Sequence, residues 1–276
     1  MMTYDSLYGI KPEDYQHPGE KIAMMALKKL PLLDIVMAKV LDAKIQVDTY
    51  AEVVGSCYRI TEKTNPRVYG LYKLALARLG IKEEYPLFSE MGYDYNAYAT
   101  GVDKPFIVLR SSVIANYSDG ELLNVIGHEI GHIKSGHLLY HNMARSLNSI
   151  LGSLGGVAQA ASVALQYALM EWHRNSEYTA DRAGLIAAAD INVANTETMK
   201  MLGHSDNIPD IDFSVDKVMK QAEDFETDAS GIIGKLLYIN YTAYASHPWS
   251  ILRLKQINDW YNSGEYEKVV RMYKQD

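Results

Sequence analysis

Leu122, Leu123, Ile126, Ile130 and Ile133 recur at intervals of mostly three and four residues, which lays apolar side chains along one face of an α-helix. Ser118 stands just ahead of this run with Glu121 three residues later, a capping-box pattern that marks where the helix begins. A second helix is predicted from Asn65-Pro66, a cap followed by a first-turn proline, to a stop at Gly80, with Leu71, Leu74, Ala75 and Leu79 facing inward. Upstream, Leu32, Leu33, Ile35, Val36, Val40 and Leu41 predict helix over about 20–49 with a break at Pro31, read as part of a helical N-terminal annex over 1–60. Further helices are predicted over 171–189 and from Ser246-His247-Pro248 to about Tyr261. Two β-prone runs, Tyr95–Thr100 and Phe106–Leu109, flank Gly101–Pro105 and predict a hairpin. Residues Ile191 to Ser230 carry scattered charge and read as loop and short helix. The expected fold is α+β and predominantly helical, with a small β-sheet and a main domain over 61–276.

Composition narrows the partners more than the fold. A chain of 276 residues, 48% hydrophobic and 22% charged, can bury a substantial core. With 27 basic against 34 acidic residues the net charge is −7, which supplies no general attraction to phosphates and argues against a nucleic-acid partner. Cys57 is the only cysteine, so an intramolecular disulfide is impossible, a cysteine-based metal site is not expected, and a reducing compartment fits. Met1 to Pro18 lacks the apolar run of a secretory signal, so a cytoplasmic location is expected.

The chemistry sits on the helix with the clearest start. His128 and His132 are four residues apart, about 40° in angular position, so both imidazoles project toward one point from adjacent turns. Glu129 lies about 100° round the axis, where its carboxylate can take a proton from a zinc-activated water without being a ligand. A zinc site needs a further protein ligand. The metzincin pattern would place glycine and histidine at positions held by Ser135 and Leu138, which closes that route. The other solution is a carboxylate from a later helix. Glu177 and Asp181 offer it, four apart on one face: Glu177 as the third metal ligand, Asp181 as acceptor for the outer N–H of a histidine ligand.

The run Val125 to His137, followed by Glu177 to Gly184, resembles the HtpX and CaaX-prenyl-protease family of zinc metallopeptidases. Asn96-Ala97-Tyr98-Ala99, the Gly101 to Leu109 stretch, and Ser246-His247-Pro248-Trp249 with Arg253 agree with it. The resemblance implies a zincin-like, gluzincin fold binding one zinc ion per chain. It also implies that Asn96, Ala97, Tyr98 and Ala99 form an edge strand pairing with an extended substrate. By the same resemblance His247 lies near the zinc as a candidate oxyanion donor, and Arg253 supports that region. His137 and His141 are also four apart, but no carboxylate motif accompanies them, so they read as surface or core histidines.

The uncharged stretch 146–170 has the length of a membrane span and is tested against the metal site. A single crossing would put His132 and Glu177 on opposite sides of a bilayer. A two-helix crossing would give each leg about 15 residues and about 22 Å, short of a core of roughly 30 Å. The stretch is therefore expected to belong to a helical hairpin over about 138–170, turning near Gly152, Gly155 and Gly156. Its apolar faces are candidates to cap the site, to touch a membrane peripherally, or to pair with a second copy. The expected function is a zinc metalloendopeptidase cutting peptides or unfolded proteins. The alternative is a catalytically silent or latent zinc-binding protein of the same fold with a quality-control or assembly role.

Overall fold

A computed structural model describes residues 4–41, 43–152, 159–205, 213–229 and 249–274. The chain opens with α1 (Pro12–Tyr15), α2 (Pro18–Leu27), α3 (Leu33–Val40) and α4 (Ala43–Ser56), followed by β1 (Tyr58–Ile60) and α5 (Pro66–Arg78). Next come β2 (Leu87–Glu90), β3 (Ala97–Thr100), β4 (Phe106–Arg110), α6 (Ser111–Asn116) and α7 (Asp119–Lys134). The remainder is α8 (Leu138–Gly152), α9 (Gln159–Ala188), α10 (Ile191–Met201), α11 (Val215–Ala229), α12 (Ser250–Asn262) and α13 (Glu265–Tyr273).

The capped helices start where their caps place them. Asn65 Oδ1 accepts from Val68 N at 3.2 Å, and Gly80 ends the segment after α5 at φ +66°. At the head of α7, Glu121 N donates to Ser118 Oγ at 3.3 Å while Ser118 N donates to Glu121 Oε2 at 2.7 Å, the reciprocal capping box. Its inward stripe, Leu123, Ile126 and Ile130, meets Val68, Tyr72 and Leu76 of α5 and Ile107 and Leu109 of the sheet in the main core. Tyr4, Leu7, Ile10 and Tyr15 enter the same core, whereas α2 and α3 form a second one with α8 and the first half of α9.

The sheet is larger than the predicted hairpin. Four strands run in the order β1-β2-β4-β3, with β2 and β4 parallel and the two outer pairs antiparallel. The hairpin is its β3–β4 portion, with Ala97 opposite Leu109 and Thr100 opposite Phe106. β1 and β2 escaped prediction because three- and four-residue strands leave too little alternation to read.

Two helical regions also differ from expectation. The helix predicted over 171–189 is the second half of the 30-residue α9, uninterrupted because no Gly or Pro falls between Gln159 and Ala183. Residues 191–230, read as loop and short helix, hold α10 and α11. Asp190 caps α10 by accepting from Asn192 N at 2.9 Å, and Val218 and Ala222 bury one side of α11 against Ile251, Leu252 and Leu254 of α12. Beyond the last predicted helix lies α13, which buries Tyr266, Val269 and Val270 at helical spacing.

Of the apolar stretch, Leu147, Leu165 and Leu169 are spent on the second core, packed with Leu27, Val36 and Trp172; the expected turn at Gly155 and Gly156 lies outside the described residues. No helix among the described residues is long and apolar enough to cross a membrane.

Candidate metal centre

The close pairing of α7 and α9 assembles the site. Gly127 and Gly131 on α7 face Ala187, Ala183 and Ala180 on α9, and a Cβ at Gly131 would lie 2.5 Å from Ala183 Cβ. Only hydrogen at these positions lets the helices approach this closely, and the approach carries Glu177 to the two histidines.

His128, Glu129, His132 and Glu177 are all buried. His128 Nε2 lies 3.0 Å from His132 Nε2 and 3.5 Å from Glu177 Oε2, and His132 Nε2 lies 3.4 Å from Glu177 Oε1. A four-coordinate cation held at about 2.0–2.1 Å spaces its ligand atoms about 3.3–3.4 Å apart, so the three groups fit such an ion. The outer nitrogen of His128 settles which of its lone pairs points inward. His128 Nδ1 is 3.0 Å from Asp181 Oδ1, which makes Nδ1–H the donor and leaves Nε2 as an acceptor. His132 Nδ1 is likewise engaged, 2.9 Å from His137 Nδ1. Two imidazole nitrogens and a carboxylate converging in a buried place is the electrostatic arrangement that holds a cation.

Arg253 completes this layer. Its Nε donates to Asp181 Oδ2 at 2.9 Å and its Nη2 to Asp181 Oδ1 at 2.5 Å. Burial opposes ionisation of Asp181, yet Arg253 and His128 outweigh it and hold the carboxyl at about 2. Burial also opposes charge on His128, but Asp181 and Glu177 push its pKa up to about 10, so its Nε2 position favours a positive charge, either a proton or a metal ion in the proton's place. At His132 burial prevails over Glu177, and the imidazole falls to about 3.

The centre opens onto a cleft of about 390 Å³ whose lining includes Asn96, Ala97, His128, Glu129, Glu177 and Arg253. Arg110 N donates to Asn96 O at 3.0 Å, so in the antiparallel ladder the even positions 96, 98 and 100 bond β4. The amide and carbonyl groups of Ala97 and Ala99 therefore point away from β4, along the outer edge of the sheet.

Six of the expected site residues thus meet: His128, Glu129, His132, Glu177, Asp181 and Arg253, with Asn96 and Ala97 lining the same cleft. Tyr98 instead bonds toward β4 and its hydroxyl donates to Glu90 Oε2 at 3.4 Å. His247 lies outside the described residues. Sequence reasoning passed over Glu197 in the cleft wall, a carboxyl that burial pushes up to about 7 against the pull of Arg253. His137 and His141, read from their four-residue spacing as surface or core histidines, are both buried.

The profile of peptidase family M48 matches residues 62–261, more than half of the chain and all of the metal centre. A curated relative, plastoglobule-localized metallopeptidase 48, chloroplastic, of Arabidopsis thaliana, is 28% identical over 261 residues, covering 94% of this chain and 75% of that protein. No solved structure matches the chain. A predominantly helical zincin-like fold and a buried two-histidine, one-carboxylate centre accompany that match, and the chain belongs to peptidase family M48, as a metallopeptidase acting on peptide or protein substrates.

Proposed function

We propose that the chain is a zinc endopeptidase that cuts extended segments of peptides or unfolded proteins, with Glu129 as general base. The observation that carries this reading is the triangle of His128 Nε2, His132 Nε2 and Glu177, with edges of 3.0, 3.5 and 3.4 Å, at the wall of a cleft that Glu129 also lines. Two histidines and one glutamate are a zinc donor set, and zinc bound there supplies Lewis-acid polarisation of the scissile carbonyl and a lowered pKa for a water.

The protein's own groups do the rest. Glu129, adjacent to His128 on α7 and buried at the cleft, takes the proton of the attacking water and returns it to the leaving amine. Asp181, held by Arg253, keeps His128 in the tautomer that aims Nε2 inward. The outward amides and carbonyls of Ala97 and Ala99 accept an extended chain as an added strand, giving affinity through the main chain with little demand on side chains. His247 is retained as the candidate donor to the developing oxyanion.

The test is Glu129→Gln, compared with the parent for bound zinc and for hydrolysis of an unfolded protein. Both proteins should hold zinc, and the variant should lose about 10²–10⁴-fold in rate, the usual contribution of a positioned general base. Cleavage by the variant at the parental rate would remove Glu129 from the mechanism. A zinc-loaded parent that never cuts would point to the silent or latent alternative.

A further inference from the structure

The two histidine ligands are supported differently. His128 leans on a carboxylate directly, whereas His132 leans on another histidine. That histidine is delivered by the end of α7. Gly136, at φ +71°, reverses the chain; His137 N donates to His132 O at 3.0 Å and Gly136 N to Ile133 O at 3.1 Å, the paired bonds of a Schellman stop. The residue just past such a stop folds back over the last turn, where an apolar contact is usual. Here the contact is polar: the ring of His137 returns to the ring of His132, with their Nδ1 atoms 2.9 Å apart.

The tautomers of this pair follow from one premise. If His132 Nε2 faces the metal, its proton is on Nδ1 and is donated to His137. His137 Nδ1 must then be an acceptor, so the hydrogen of His137 is on Nε2. That atom is buried with no well-aligned hydrogen bond of its own among the described residues, and the carboxylate within reach of it is Glu20, with Oε1 at 3.3 Å. Glu20 is itself 3% exposed and is held in place by Gln16 Nε2, donating to Oε1 at 3.0 Å, and by Thr179 Oγ1, donating to Oε2 at 2.5 Å. Thr179 sits two residues from Glu177 on α9 and also accepts from His17 N at 2.9 Å, so the start of α2 is clamped to the helix bearing the third ligand.

We propose that Glu20 is a positioning residue of the metal centre, acting through a relay in which His132 Nδ1–H donates to His137 Nδ1 and His137 Nε2–H donates to the Glu20 carboxylate. Glu20 lies on α2, ahead of the region 62–261 that matches the family, so the N-terminal helices take part in holding the metal rather than only covering the domain. The relay rests on the reading of His132 as a ligand. If His132→Ala binds zinc as tightly as the parent, that reading fails; the outcomes below fail the relay alone.

The experiment measures zinc affinity by competition with a chromophoric chelator in the full chain, for Glu20→Gln, His137→Gln and the double variant, with melting of the apoproteins as the check on folding. Each single change should weaken zinc about tenfold, the lower end of the range for outer hydrogen-bond partners of metal ligands. Because both act along one path, the double variant should bind within about twofold of His137→Gln alone. Cobalt substituted for zinc should show a shifted visible absorption in Glu20→Gln. Parental affinity in Glu20→Gln overturns the relay, and so does a further tenfold loss when Glu20→Gln is added to His137→Gln. Should Glu20→Gln fail to fold, nitrogen NMR of the zinc-loaded parent decides: His132 must carry its proton on Nδ1 and His137 on Nε2, and a proton on His137 Nδ1 overturns the proposal.

Discussion

Gly131→Ala sets two effects of opposite sign against each other. In an α-helix, alanine is favoured over glycine by about 1 kcal/mol, so propensity alone would make the variant more stable. The added Cβ, however, lies 2.5 Å from Ala183 Cβ and 3.4 Å from Ala180 Cα. Carbon atoms rest at about 3.5–4.0 Å, so α7 and α9 must part by about 1 Å. Overpacking of this kind costs about 1–3 kcal/mol, leaving a net change between neutral and about 2 kcal/mol destabilising. The same opening carries Glu177 away from His128 and His132, lengthening contacts of 3.5 and 3.4 Å beyond what one small ion spans, and zinc affinity should fall at least about tenfold. Gly70, exposed on α5 with nothing within 4 Å of an added Cβ, is the matched control: Gly70→Ala should gain about 0.5–1 kcal/mol and leave zinc binding alone. Urea unfolding of the apoproteins and chelator competition read both quantities. If Gly131→Ala is stabilised as much as Gly70→Ala and binds zinc normally, helix proximity does not assemble the centre.

Three further outcomes follow from the site. Glu177→Ala should lower zinc affinity sharply, by well over tenfold, because it removes a ligand rather than a support, and unchanged metal content would mean the third ligand lies elsewhere. Asp181→Ala strands the buried Arg253 and should cost about 3–5 kcal/mol in urea unfolding, whereas Asp181→Ala with Arg253→Leu should recover part of that loss; a single variant as stable as the parent would deny the pair that importance. Ala97→Pro removes one outward amide at the first residue of an edge strand while sparing the bonds to β4, so it should raise KM for an unfolded substrate about 2- to 10-fold with kcat little changed, and an unaltered KM would exclude this edge as the docking strand.

What the sequence determined by itself is what short-range periodicity and capping control. The metal-bearing helix was legible because Ser118 and Glu121 announce its start and its apolar stripe repeats every turn; the two imidazoles share a face because four residues make nearly one turn. Glu177 with Asp181 was legible for the same reason, as two carboxyls one turn apart on a later helix. β1 and β2 were not, since three- and four-residue strands carry little pattern and gain their stability from neighbours distant in the chain, whereas α13 went unpredicted although Tyr266, Val269 and Val270 stand at helical spacing. Tertiary structure alone decided how near α7 and α9 lie, through the glycines of one helix and the alanines of the other. It also decided that Ala97 and Ala99, rather than Asn96 and Tyr98, turn their main-chain groups outward, because strand register depends on β4. The meeting of Glu20 with His137 joins residues 117 positions apart, and no local rule reaches across such a separation: only the packing of α2 on α9 brings that carboxylate to the metal centre.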